Sequence, residues 1–182
     1  MPTNPAYDIK IHPREYDLIV ATHGRGIYIA DISALAQLDL EVVGQDAFFF
    51  QPESKVRWVS GVPHEAASDN FAGESEPAAI PFYYWLQGDA AGDVTFTVYQ
   101  GNVAIATLTG PSSAGLHAVP WGMNKMPQGQ PQAAPQGQAR FQGRGMRAQP
   151  APIGEYTVVM SVGGQEMSRT VSILKDEWWM TR

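Results

Sequence analysis

A chain of 182 residues that is 44% hydrophobic and 10% aromatic, with only 16% charged residues, has enough apolar side chains to bury a core and too few charges to stay disordered as a whole. Its net charge of −6, from 18 acidic against 12 basic residues without a run of like charges, argues against a general nucleic-acid binder, which needs a basic face. The absence of cysteine excludes disulfides, thiolate metal sites and thiol catalysis within these residues, and no apolar segment approaches the roughly 20 residues that cross a bilayer.

The first residues, Met1-Pro-Thr-Asn-Pro-Ala-Tyr7, hold no charged region followed by an apolar run, so no signal peptide is expected in them. Three short apolar runs follow, Tyr7 to Ile11, Leu18 to Ala21 and Ile27 to Ala30. The polar segments His12 to Asp17 and Thr22 to Gly26 separate them, and brief runs with turn residues between predict an antiparallel meander. Asp31 to Leu38 then reads as the chain's one short helix, capped by Asp31 or Ser33, with Ile32, Leu35 and Leu38 on one face.

Strand signals resume at Ala47 to Gln51, Lys55 to Val59, Ile80 to Leu86, Asp93 to Gln100 and Val103 to Leu108. Val94, Phe96 and Val98 alternate with Thr95, Thr97 and Tyr99, which marks a strand with one buried face. Gly101-Asn102 has the glycine-first order of a type II′ hairpin turn. Leu116 to Trp121, Glu155 to Val162 and Glu166 to Leu174 complete the set, the last two joined at Gly163-Gly164. Short strands spaced by turns in this way predict an all-β fold, an immunoglobulin/fibronectin-like β-sandwich preceded by the meander and the helix. The expected organisation is a meander over residues 1–31, a short helix and linker over 32–45, and the sandwich over 46–182.

One segment departs from the pattern. From Asn124 to Pro152 the chain is dominated by Pro, Gln, Gly and Ala. It has too little apolar surface to offset the entropy of ordering it, so a disordered loop over 124–152 is expected inside the sandwich.

No group of residues rises to a catalytic, cofactor-binding or metal site. His12 and His23 fall at opposite ends of one short strand, about 15 Å apart at 3.3 Å per residue, too far to share an ion, and turn histidines bonded to the backbone are the simpler reading. His64 and His117 have no acidic or histidine neighbour at ligand spacing. Gly24-Arg25-Gly26 lacks the surroundings of a phosphate-binding loop and is explained by a turn that needs positive φ at one or both glycines. Glu74 and Glu76 sit in a polar stretch with nothing apolar to raise a carboxyl pKa, unlike a glycosidase pair. There is no Gly-x-Ser-x-Gly elbow. Arg140, Arg144 and Arg147 around Phe141 have the look of a single-strand RNA-binding tail, but three arginines in an acidic chain carry little weight. In Phe82-Tyr83-Tyr84-Trp85, alternate rings must point to opposite faces. Half belong to the core, and the other half is available to be covered by the meander or the helix, or to stack on sugar.

The stretch Ile11-His-Pro-Arg-x-x-Asp-Leu18, continued by Thr22-His-Gly-Arg-Gly-Ile-Tyr28 and Asp31, resembles the closing stretch of the sortilin-like β-propellers of large bacterial exported proteins. That family carries neuraminidase-type (BNR) repeats and is often labelled glycosyl hydrolase. In it, the last blade is followed by a C-terminal β-sandwich. Here Ile80-Pro-Phe-Tyr-Tyr-Trp-Leu86, Ala114-Gly-Leu-His-Ala-Val-Pro-Trp121 and Pro152-Ile-Gly-Glu-Tyr-Thr-Val-Val159 continue the resemblance over nearly the whole chain. His117 stands where the family has Asn, Gly122-Met123 where it has Asp-Leu, and the Asp-box is absent. A propeller's active site is assembled from several blades at its axis. The resemblance therefore implies a non-catalytic structural or interaction module, extracellular or periplasmic as part of a larger protein. Its implied partners are the upstream propeller, a glycan or protein ligand, and a second copy through the N-terminal strands, with neither nucleic acid nor a membrane span among them. The competing expectation is a carbohydrate-binding or accessory module of a glycoside hydrolase.

Overall fold

Alternation of apolar and polar side chains sets the strands of this chain. Its computed structural model describes residues 5–13, 16–24, 26–58, 77–125 and 149–177. The N-terminal meander comprises β1 (Ala6–Ile11), β2 (Asp17–Thr22) and β3 (Ile27–Asp31), paired antiparallel in the order β1-β2-β3. Two single-turn helices follow, α1 (Ser33–Ala36) and α2 (Leu40–Val43). The remaining strands are β4 (Ala47–Phe49), β5 (Lys55–Arg57), β6 (Ile80–Leu86), β7 (Val94–Gln100), β8 (Val103–Gly110), β9 (Gly115–Trp121), β10 (Asn124–Lys125), β11 (Gln149–Pro150), β12 (Gly154–Val162) and β13 (Gln165–Lys175).

The sandwich is formed by a three-stranded sheet, β4-β6-β9, facing a five-stranded sheet, β5-β13-β12-β7-β8. The entering segment serves both sheets. β4 pairs antiparallel with β6, and past Pro52 the chain crosses over so that β5 runs parallel to β13. This switch of the first strand, together with the crossing from β8 in one sheet to β9 in the other, gives the expected immunoglobulin/fibronectin-like all-β sandwich.

Between the sheets, β6 contributes Ile80, Phe82, Tyr84 and Leu86, while β7 contributes Val94, Phe96 and Val98 and β12 Tyr156, Val158 and Met160, all essentially inaccessible to solvent. Phe96 lies 5.3 Å from Phe49, 5.7 Å from Phe82 and 5.2 Å from Tyr84, measured between ring centroids. These are the offset and edge-on separations that aromatic quadrupoles favour. Gly110 is required beside this cluster, because a Cβ there would meet the Tyr84 hydroxyl at 2.5 Å and Val119 Cγ2 at 2.8 Å.

The outward side chains of β6 form a second, smaller cluster. Tyr83 and Trp85 pack with Phe48 and Phe50 against Ala34, Leu38 and Val42, so the helical segment is what covers this face of the three-stranded sheet. That segment is not one helix through Leu38. Asp39 accepts the Val42 N–H at 2.8 Å and caps a new turn, which ends the first at Ala36. Asp31 accepts the Ser33 N–H instead of capping by the usual geometry, and Ile32 holds the cap position without a side-chain bond. Leu35 is left exposed while Leu38 packs inward.

The insert leaves and re-enters through an ordered neck. β10 pairs with β11, Asn124 opposite Pro150 and Lys125 opposite Gln149, so the expected disordered loop is ordered at both ends. Residues 126–148 between them lie outside the described residues. The Arg57 guanidinium donates to the carbonyls of Ala151 and Met123, and the Ala151 N–H donates to Met123 O at 2.9 Å. Tyr156, two positions into β12, donates its hydroxyl to Pro152 O four residues upstream, the corner by which such sandwiches fix the entry of this strand.

Two measurements test this account. Arg57→Met leaves two carbonyls at the neck without their charged donor, so urea denaturation should show a loss of about 2–3 kcal/mol. Burial raises the Tyr84 phenol well above its usual value of 10.0, whereas in the unfolded chain it titrates near 10. Folded stability is therefore intact below pH 10 and falls as pH rises above it, by about 1.4 kcal/mol per pH unit for each such group. Tyr84→Phe should shallow this alkaline slope, read by denaturant titrations at pH 9, 10 and 11.

Candidate functional site

The residues that stood out in the sequence are dispersed by the meander. His12 lies at the end of β1, where its N–H donates to Asp17 O at 2.8 Å. His23 follows β2, with its N–H on Pro5 O at 3.0 Å and its ring edge-on to Tyr7 at 6.5 Å. Gly24 has φ of +123°, as a turn glycine should, whereas Gly26 has ordinary φ and is needed for space: a Cβ there would meet Thr22 Oγ1 at 2.8 Å and Tyr28 Cε2 at 3.2 Å. Arg25 lies outside the described residues, as do His64, Glu74, Glu76, Arg140, Phe141, Arg144 and Arg147. His117 is half-buried on β9, its ring 5.3 Å from that of Tyr84 and its Nε2 2.7 Å from Ser113 O. Among the described residues, no three His, Cys, Asp or Glu side chains converge as a metal site.

Two aspartates of the opening stretch do come together. The β2–β3 register places Asp17 opposite Asp31, an arrangement in which like charges destabilise a strand pair. Asp31 is held by the Ser33 N–H on Oδ1 and by the Tyr83 hydroxyl on Oδ2 at 3.2 Å. Both carboxylates face a groove of about 720 Å³ between the meander and the sandwich. Its other walls include Tyr83, Trp58, Pro52, Pro81 and Glu53. Aromatic faces beside carboxylates suit either sugar hydroxyls with their C–H faces or a cationic ligand. Sequence reasoning missed the pairing because it depends on the register set by the β2–β3 turn. A smaller pocket of about 440 Å³ opens at the end of the sandwich between Asp46, Asp89 and the turn at Gly163.

Of the two left-handed non-glycine residues among the described ones, Tyr16 stands beside the groove and Met123 at the neck of the insert. Tyr16, which precedes β2, has φ of +51°, a left-handed conformation that costs a non-glycine residue on the order of 1 kcal/mol. It is held by its own N–H on His12 O at 3.1 Å and by the Ile32 N–H on its carbonyl at 3.0 Å. The meander is thereby tied to the helical segment.

The exposed apolar side chains concentrate in the meander. Tyr7 is 82% exposed, Ile9 and Ile11 57%, Ile27 70% and Ile29 65%. They come from both outer strands, with Val20 of the central strand buried. Ile9 and Ile11 share a face with Val20 and Tyr28, whereas Ile27 and Ile29 share the other with Asp8 and Lys10. Apolar side chains are therefore exposed on both faces of this small sheet, and exposed apolar surface is a mark of interaction sites. β1 and β3 are also free sheet edges among the described strands, and such edges are templates for a further strand. No helix among the described residues is long and apolar enough to cross a membrane. Compared with known proteins, the chain matches no family model, no curated protein and no solved structure.

Proposed function

We propose that this chain is a non-catalytic structural and interaction module, the C-terminal part of a larger exported protein related to the sortilin-like, BNR-type β-propellers, and that its meander is the element that meets a partner. The observation that carries the reading is the exposure of apolar side chains on both faces of a three-stranded sheet, Ile9 and Ile11 on one face and Ile27 and Ile29 on the other, together with Tyr7, and two edges that are free among the described strands. A propeller blade usually has four strands and buries both faces between neighbouring blades. A three-stranded meander rich in exposed β-branched side chains fits an incomplete blade whose covering surface belongs to other residues. The sandwich, with its buried core, acts as the rigid support that holds the meander in place through Tyr83 and Asp31.

A second reading, glycan binding, is favoured by the groove in which Tyr83 and Trp58 stand near Asp17, Asp31 and Glu53. Ring faces and carboxylate acceptors are the two components with which proteins hold sugars.

The two readings separate in solution. A propeller segment encoded upstream in the same reading frame, added in trans, should bind the chain, and Ile27→Lys with Ile29→Lys should weaken that binding at least tenfold by calorimetry. Sugar titration should leave Trp58 fluorescence unchanged. Saturable quenching by a glycan, lost in Tyr83→Ala, would move the function to the groove, and hydrolysis of an aryl glycoside by this chain alone would overturn the non-catalytic reading.

A further inference from the structure

We infer that β1 is a self-complementary edge and that two copies of the chain associate through it in an antiparallel pair centred on Ile9, giving one continuous six-stranded sheet. This rests on the reading of the meander as an interaction element and names its partner and register.

The backbone of β1 sets which groups are free. His12 is bonded across the hairpin to Asp17, and the register continues with Lys10 opposite Ile19 and Asp8 opposite Ala21. In an antiparallel pair the bonding positions alternate, so positions 8, 10 and 12 face β2, while Ile9 and Ile11 direct their N–H and C=O groups outward. The Ile9 N–H finds no strand and donates to the carboxylate of its own neighbour, Asp8 Oδ1, at 2.9 Å. A second copy of β1 pairing antiparallel must set outward positions against outward positions, which restricts the registers to those with an odd residue opposite an odd one.

Charge then selects among those registers. Asp8 and Lys10 share one face of β1, their side chains 4.0 Å apart and both exposed. With Ile9 opposite Ile9 of the second copy, Asp8 falls opposite Lys10 of the second copy and Lys10 opposite its Asp8. Moving the register by one step either way places Asp8 against Asp8 or Lys10 against Lys10. Directly opposed like charges destabilise a strand pair and opposed unlike charges stabilise it. On the other face, the same register brings Ile9 against Ile9 and Ile11 beside Tyr7, which covers three of the most exposed apolar side chains. Every contact is reciprocal, as a two-fold interface requires.

The paired stretch is short. A register shift between Ala6 and Asp8 interrupts β1 at one end, and Pro13 ends regular pairing at the other. The interface is of the small class that associates weakly, with a Kd on the order of micromolar.

Sedimentation equilibrium on the full chain across about 1–500 μM should show a monomer–dimer equilibrium, with amide exchange at Ile9 slowing as concentration rises. Asp8→Lys alone and Lys10→Asp alone each set like charges opposite one another, so each should raise Kd on the order of tenfold or more. Mixing the two variants restores both unlike pairs in a heterodimer, and its Kd should return to within about threefold of the original. Both sites are exposed, so circular dichroism of the variants should be unchanged. A strict monomer over the whole range, a dimer indifferent to Asp8→Lys, or a mixture that fails to associate would each overturn the inference. If the chain stays monomeric yet still binds the upstream propeller segment, only this inference falls. If it does neither, the reading of the meander as an interaction element falls with it.

Discussion

The ring of Phe96 is the contact on which the two sheets depend. It projects from the five-stranded sheet into a space walled by Phe49, Phe82 and Tyr84 of the three-stranded sheet, and truncating a ring so placed costs about 3–5 kcal/mol. Its position also fixes register. A slip of one residue in β7 would turn Val94, Phe96 and Val98 to solvent and bring Thr95, Thr97 and Tyr99 inside. Each neighbouring strand is therefore held to a single pairing by the burial of its own alternate residues.

From that cluster the constraint passes outward through contacts of decreasing apolar character. Phe82 stacks on Trp121 at 6.1 Å, and Trp121 meets Tyr156 edge-on at 5.2 Å. Tyr156 carries its ring into the core and its hydroxyl to the Pro152 carbonyl, and Trp121 donates Nε1–H to Asn124 O at 3.1 Å. Each is apolar in body and polar at the tip, so the core reaches directly to the backbone at both ends of the insert. Arg57 completes the neck by holding the carbonyls of Met123 and Ala151. The ends of the long Pro- and Gln-rich insert are joined by backbone pairing and by groups rooted in the core, and the cost of closing such a loop grows only slowly with its length.

The sandwich was legible in the sequence wherever burial imposes a period of two. The run Ile80 to Leu86 gives its strand to the residue, and the glycines at 101, 163 and 164 have the positive φ that hairpin turns need. The short elements were not legible. Asn124-Lys125 and Gln149-Pro150 are two residues each and carry no alternation, so nothing local marks them as paired. The helical segment misled because Ile32, Leu35 and Leu38 have helical spacing, while the deciding event was the Asp39 carboxylate capturing the Val42 N–H. The tyrosine corner could have been read from Pro152-Ile-Gly-Glu-Tyr156, where a glycine two residues before the tyrosine precedes a strand. Asp17 opposite Asp31 and the groove they face arise from tertiary register, for which one strand's pattern holds no information.

The meander poses a different physical problem from the sandwich. A sheet of three strands is stable in water only when a hydrophobic face is covered, and here coverage within the described residues reaches Val20 of the central strand while Ile9, Ile11, Ile27 and Ile29 of the outer strands remain exposed. Among the described residues, two hydrogen bonds tie it to the rest of the chain: the Tyr83 hydroxyl on Asp31, and the Ile32 N–H on the carbonyl of Tyr16 in a left-handed conformation. Neither contact buries apolar surface. The β-branched side chains that make these strands extend are therefore the same ones that leave them unfinished, since isoleucine favours the pleated backbone only where its side chain packs against a neighbour. On the proposed reading, those side chains meet a surface beyond this meander, and the edge of β1, with its adjacent opposite charges, is the part of it most able to select that surface.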